Sequence, residues 1–149
     1  MKRISKFEDR FAFLSNFHPS VICDEYIFYP TVEHYFQAMK TLNPEMRKKI
    51  AAADTPGQAK RLGRQVELRP DWEEVKDDVM LEGLRLKFTI PSLREMLIET
   101  GSAELVEGNW WHDNTWGDCG CEKCQDIPGQ NRLGKLLMQV RKEVKEGRY

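Results

Sequence analysis

Thr31-Val-Glu-His-Tyr-Phe-Gln-Ala-Met-Lys40 is the stretch on which the reading of this chain turns. Thr31 follows Pro30 as a good N-cap, and the run predicts a helix from about Val32 to Leu42. At about 100° per residue, Gln37 and Lys40 each fall within about 40° of Glu33. An acid, an amide and an amine therefore share one face, while Tyr35, Phe36 and Met39 lie opposite and read as core. An acid in a first helical turn often only complements the macrodipole. The threefold alignment argues for a catalytic wall, because a buried Glu–Lys pair is a poor core element unless it performs chemistry. His34 points elsewhere and reads as a packing or hydrogen-bonding histidine.

Before this run, residues 11–17 read as turns and short strands, and residues 21–29 as a hairpin folded around Asp24-Glu25. After it, Pro44 opens a helix over Glu45 to Ala53, and Asp54-Thr55-Pro56 opens another with Gly63 near its end. Asp71 as cap and Glu74 as its capping-box partner start a long helix to about Phe88. Pro91-Ser92 begins a helix that Gly101 stops, and Leu105-Val106 reads as a short strand. Residues 110–130 form a polar loop of a length that signals function or disorder. The last helix, from Asn131 to about Lys145, buries Leu133, Leu136, Leu137, Val140 and Val144. With no repeat and no internal boundary, the expectation is one α+β domain over residues 1–149, mostly helical with a small sheet or hairpin.

At 149 residues the chain can bury a proper core without staples. A net charge of −1 argues against coating nucleic acid by bulk electrostatics. It leaves room for a pocket holding one phosphorylated ligand. Basic residues cluster as Lys60-Arg61 with Arg64, Arg85 with Lys87, and Arg132 with Lys135, although such groups are commonly solvated helix faces. No apolar run is long enough for a membrane and the N-terminus has no secretory h-region, so a cytoplasmic location is expected.

The long loop carries the second chemical cluster. Asp113-Asn-Thr-Trp-Gly117 sets a carboxylate beside an aromatic plate. Trp110, Trp111 and Trp116 either plug the fold or offer a base-stacking surface worth about 1–3 kcal/mol. Trp72, next to a helix N-terminus, reads either as another base-stacking plate or as a staple residue. Residues 129–134 have the wrong spacing for a dinucleotide fingerprint, but they open a helix whose N–H groups, with Arg132 and Lys135, would suit a phosphate. Cys119, Cys121 and Cys124 form C-x-C-x-x-C, with Cys23 apart. Reduced thiols in a loop are the first reading; structural zinc, with Cys23 or His112 as fourth ligand, is the second. Metalloprotease, P-loop and serine-hydrolase motifs are absent.

Several of these runs together resemble the NADAR (YbiA-like) family. They are residues 13–17 and 30–40, Leu62-Gly-Arg64, Arg69-Pro-Asp-Trp72, Leu84-Arg-Leu-Lys-Phe88, Leu105-Val-Glu107, Asp113 with Trp116-Gly117, and Asn131-Arg-Leu-Gly134. The resemblance spans about residues 11–144 in the family's order. It implies a compact, mostly helical α+β domain and an N-glycosidase that needs no cofactor. The implied substrates are ADP-ribosylated guanine in nucleic acid or nucleotide, or, as the alternative, a phosphorylated ribosylaminopyrimidine of the riboflavin pathway. A non-catalytic reader of ADP-ribose is the reading from another class; two carboxylates and two lysines in matching motifs argue against it. The resemblance also implies catalytic roles for Glu33 and Asp113, and a Schiff-base lysine at Lys40 or Lys87. Asn16, Gln37, Arg64, Trp72, Trp116, Gly117, Asn131 and Arg132 are the implied substrate-binding set. The chain departs from the family over residues 117–129, where its cysteines replace a short glycine-rich linker.

Overall fold

The computed structural model describes residues 3–148, so the first two residues and the last of the expected 1–149 domain lie outside the described residues. Around Thr31, proline and polar caps punctuate the chain into short helices. The Thr31 hydroxyl accepts from His34 N at 3.1 Å and starts α1, Val32–Ala38. Asn43 with Pro44 starts α2, Pro44–Ala51, and Thr55 with Pro56 starts α3, Pro56–Gly63. In each case the cap oxygen satisfies amides that the first turn leaves without partners, and proline sacrifices none. The fourth helix, α4, runs from Trp72 to Lys87. Its expected side-chain cap is not what forms: the Asp71 carboxylate takes Arg69 Nε at 2.7 Å and a second guanidinium nitrogen at 3.2 Å. A bidentate charged pair outcompetes a single amide.

The chain divides into two compact units, residues 16–87 and residues 1–15 with 88–149. In the first, α1 packs against α2, α3 and α4. All seven residues of α1 are buried, including Glu33, His34 and Gln37. The sequence pattern assigned one polar face; enclosure by three helices leaves no such face. A hairpin belongs to the same unit: β2, Ile22–Cys23, pairs antiparallel with β3, Phe28–Tyr29. The Asp24 carboxylate makes its turn by accepting from Tyr26 N and Ile27 N, both at 2.9 Å.

In the second unit, β1, Arg3–Ile4, runs parallel to β4, Glu104–Leu105. A 3₁₀ helix occupies Asp9–Leu14, where turns and strands were expected. Helix α5, Pro91–Glu99, and β4 both pack against α6, Arg132–Lys145. The α6 stripe is buried at Leu133, Leu137, Val140 and Val144, with Leu136 only half-buried. The predicted loop contains a parallel pair, β5, Gly108–Asn109, with β6, Asp118–Cys119. The fold is α+β and mostly helical. No helix among the described residues is long and apolar enough to cross a membrane.

Candidate active site

Burying Glu33 and Gln37 on α1 obliges each to find a partner. A carboxylate only accepts, so the Gln37 amide must turn its NH₂ toward Glu33, and Nε2 donates to Oε2 at 2.6 Å. That orientation leaves Gln37 Oε1 buried without a hydrogen-bond partner among the described residues. Gly63 at the end of α3 explains how the amide is enclosed, since a Cβ there would fall on Gln37 Oε1. Asn16 borders the same carboxylate residue from another side: its carbonyl accepts from Glu33 N at 3.1 Å. Its side-chain Nδ2 contacts Met80 Sδ at 3.4 Å, and Oδ1 is likewise buried without a partner. The Gln37 oxygen next to the buried carboxylate, and the Asn16 oxygen on the residue that holds Glu33 N, are two idle acceptors suited to hydroxyl or N–H donors.

Lys40 lies just beyond α1, which stops at Ala38 with Met39 as its C-cap; its backbone N–H still reaches Gln37 O at 3.2 Å. Its ammonium nitrogen sits 5.9 Å from the centre of the Phe36 ring. Burial lowers its pKa, Glu33 opposes that shift, and Arg64 and Lys60 add to it. Lys40, Lys60, Arg64 and Glu33 are therefore electrostatic neighbours, with Arg64 exposed at the C-cap of α3.

Lys87 is the other amine, and it is wholly buried. Desolvation alone brings its pKa down to about 7, so the uncharged amine is abundant at neutral pH. His18, which the sequence reading passed over as a turn residue, is within electrostatic reach of Lys87; burial and then that lysine lower its pKa. Only its proximity to a chain-distant lysine reveals it. Trp72 is 6% exposed and packs on Phe36 with ring centres 5.0 Å apart. His34 bridges Thr31 Oγ1 at 2.8 Å and Ala53 O at 3.0 Å, as a hydrogen-bonding histidine should.

The remaining predicted residues belong to the other unit. Asp113 Oδ1 accepts from Thr115 N at 3.1 Å and Trp116 N at 2.9 Å, a tight Asx turn that fixes the Trp116 backbone. Asn109, absent from the sequence reading, anchors the turn: its Nδ2 donates to Asp113 O at 2.8 Å and its Oδ1 accepts from Asp113 N at 3.2 Å. Trp110 and Trp111 are exposed, whereas Trp116 is half-buried. Gly117 leaves no space for a Cβ, which would meet the Glu107 carboxylate. Asn131 adopts the left-handed conformation (φ 49°), and its side chain is committed: Oδ1 accepts from Glu107 N at 3.0 Å and Nδ2 donates to Leu105 O at 2.9 Å. Arg132 Nε donates to Gln130 Oε1 at 2.9 Å. Of the two possible fourth partners for the cysteine trio, His112 is beside it; Cys23 lies in the helical unit, its thiol donating to Asp24 O at 2.8 Å.

The NADAR domain profile matches residues 4–145. The chain belongs to the NADAR family. This NADAR chain is 41% identical over 139 residues to N-glycosidase YbiA of Escherichia coli (strain K12), covering 91% of this chain and 83% of that one. It is 39% identical over 154 residues to the riboflavin biosynthesis protein PYRR, chloroplastic, of Zea mays, covering 91% of this chain and 24% of that one. The NMR structure of E. coli YbiA matches with a TM-score of 0.84 at 37% sequence identity, over 99% of this chain and 89% of that chain.

Proposed function

We propose that this NADAR protein is a hydrolase of N-glycosidic bonds and that its substrate is an ADP-ribosylated guanine base. The observation that carries the reading is the Glu33 carboxylate, buried and held by Gln37 at 2.6 Å, with Gln37 Oε1 and Asn16 Oδ1 buried as idle acceptors. Breaking a C1′–N bond requires negative charge near an oxocarbenium-like carbon and a proton for the departing nitrogen. Glu33 suits the first requirement, and the two acceptors suit sugar hydroxyls. The name N-glycosidase borne by the E. coli relative supports the same bond class.

Lys87 is the nucleophile we favour over Lys40, because complete burial makes its uncharged form abundant at neutral pH. In this route the amine nitrogen adds to C1′ of the opened sugar, and the base nitrogen leaves carrying a proton. Water then hydrolyses the imine, releasing the sugar aldehyde and restoring the amine. Lys40, with Lys60 and Arg64, serves as the cationic cluster for phosphate. Asp113, Trp116, Gly117, Asn131 and Arg132 enter the proposal through the family motif, with Asp113 as a second acid.

The name of the maize relative favours a second substrate reading, a phosphorylated ribosylaminopyrimidine. Incubation with ADP-ribosylated guanosine in DNA and, separately, with that pyrimidine resolves the two by which one yields free sugar. Release from neither, with ADP-ribose still bound, would make the protein a reader instead. Borohydride reduction during turnover should fix the sugar to Lys87 by mass spectrometry; full activity in both Lys87→Ala and Lys40→Ala would remove the imine from the mechanism.

A further inference from the structure

Three thiols and one imidazole converge where the loop folds back on itself. His112, Cys119, Cys121 and Cys124 each bring one ligand atom, and all four atoms lie within 4.8 Å of one another. From His112 Nδ1 the distances are 3.3 Å to Cys124 Sγ, 3.3 Å to Cys121 Sγ and 4.0 Å to Cys119 Sγ. A tetrahedron built on zinc–sulfur bonds of about 2.3 Å and zinc–nitrogen bonds of about 2.0 Å has nitrogen–sulfur edges of about 3.5 Å. The observed edges bracket that length. All four cysteines of the chain are free thiols, so no disulfide explains the convergence.

We propose that this quartet is a closed Cys₃His structural zinc site. The donor set selects the metal: thiolates with an imidazole suit zinc, whereas calcium and magnesium require oxygen. The surroundings are those of a thiolate centre. His112 N and Cys121 N both point at Cys119 Sγ, at 3.3 and 3.5 Å, and would stabilise its negative charge. Asn114 Oδ1 accepts from Cys119 N at 2.9 Å, fixing the backbone that presents that sulfur. His112 holds the left-handed conformation (φ 69°), a strained geometry for a residue with a Cβ that its surroundings must enforce.

Binding is balanced by protons. Three thiols release three protons, the histidine enters neutral with its hydrogen on Nε2, and the loaded centre carries one negative charge. With four protein ligands there is no open position, so the metal is structural. It ties residue 112 to residue 124 and thereby holds the loop whose next residue, Asp113, makes the turn to Trp116. The site stands on its own geometry and does not rest on the N-glycosidase reading.

The test uses the full chain purified under reducing conditions without strong chelator. Mass spectrometry should find about one zinc per chain. Titration with a mercurial should release it in step with three thiols, and cobalt replacement should give tetrahedral d–d bands with thiolate charge transfer. Cys23→Ser should keep the full zinc content and His112→Cys should retain a metal with a sulfur-shifted cobalt spectrum. The double variant Cys119→Ser, Cys121→Ser should lose it. If that variant does not fold, X-ray absorption on the unaltered protein decides by its three-sulfur, one-nitrogen shell. Metal-free protein with four reactive thiols and no cobalt charge-transfer band would overturn the site. So would zinc that persists undiminished in the folded double serine variant.

Discussion

The two units hold their functional groups by opposite means. Around α1, polar side chains are fixed by enclosure: α1 packs against three helices, and the Gln37 amide turns onto the Glu33 carboxylate. In the loop, Asp113 is fixed locally by Asn109, by its own turn and by the neighbouring sulfur–imidazole quartet. Enclosure gives a low-dielectric setting in which charges and pKa values shift strongly. Local bonding gives position without burial, and Asp113 remains half-exposed. The first arrangement is suited to chemistry and the second to presentation of groups at a surface.

The comparison breaks most easily at Glu33. If enclosure creates the chemistry, Glu33→Gln should lower kcat by about 10²–10⁴-fold while leaving the circular dichroism spectrum unchanged. An equal loss from any loop substitution that preserves folding would erase the distinction between the units.

Lys87 tests the same enclosure through stability. Its pKa falls from 10.5 to about 7 on burial. Between those values the unfolded chain binds a proton that the folded chain does not, so folding weakens as pH falls from about 10 to about 7 and the loss is complete below that. Lys87→Met should therefore abolish imine trapping yet raise stability at pH 7 by on the order of 1–4 kcal/mol, an advantage that fades as the pH approaches 10. Paired denaturant titrations at the two pH values measure it. Activity of the unaltered protein should rise with pH through about 7 as the amine loses its proton.

A smaller effect sharpens the account of Gln37. Gly63→Ala places a methyl where Gln37 Oε1 lies, and should cost about 1–3 kcal/mol in thermal unfolding. The substitution should also raise KM, since one of the two idle acceptors is displaced.

The contrast also explains what was legible in the sequence. Caps and prolines are local signals, so α2 and α3 and their starts at Pro44 and at Thr55-Pro56 followed from a few residues each. Glu33 and Gln37 were found because helical spacing, four residues apart, places them together. The helix ends at Ala38, short of the expected Leu42, yet Lys40 stays within electrostatic reach of Glu33; His18 near Lys87 is a tertiary neighbour with no local mark. The choice of His112 over Cys23 beside the cysteine trio depends on how the loop turns back, which spacing cannot express. Asp71 went to Arg69 because a nearby cation outcompetes an amide for its carboxylate.

The smallest effect concerns Asp113, where two substitutions separate presentation from chemistry. Asn keeps the Oδ1 acceptor for Thr115 N and Trp116 N but removes the charge; Ala removes both. Asp113→Asn should leave the melting temperature within experimental error, whereas Asp113→Ala should cost about 0.5–1.5 kcal/mol for the lost turn bonds. If Asp113 acts by its charge, the two variants lose activity alike. If it acts by positioning Trp116, Asn retains activity that Ala loses, and the loop's contribution is geometric. Hydrogen exchange at Thr115 and Trp116 reports the turn directly, and fast exchange in the Ala variant alone is the expected pattern.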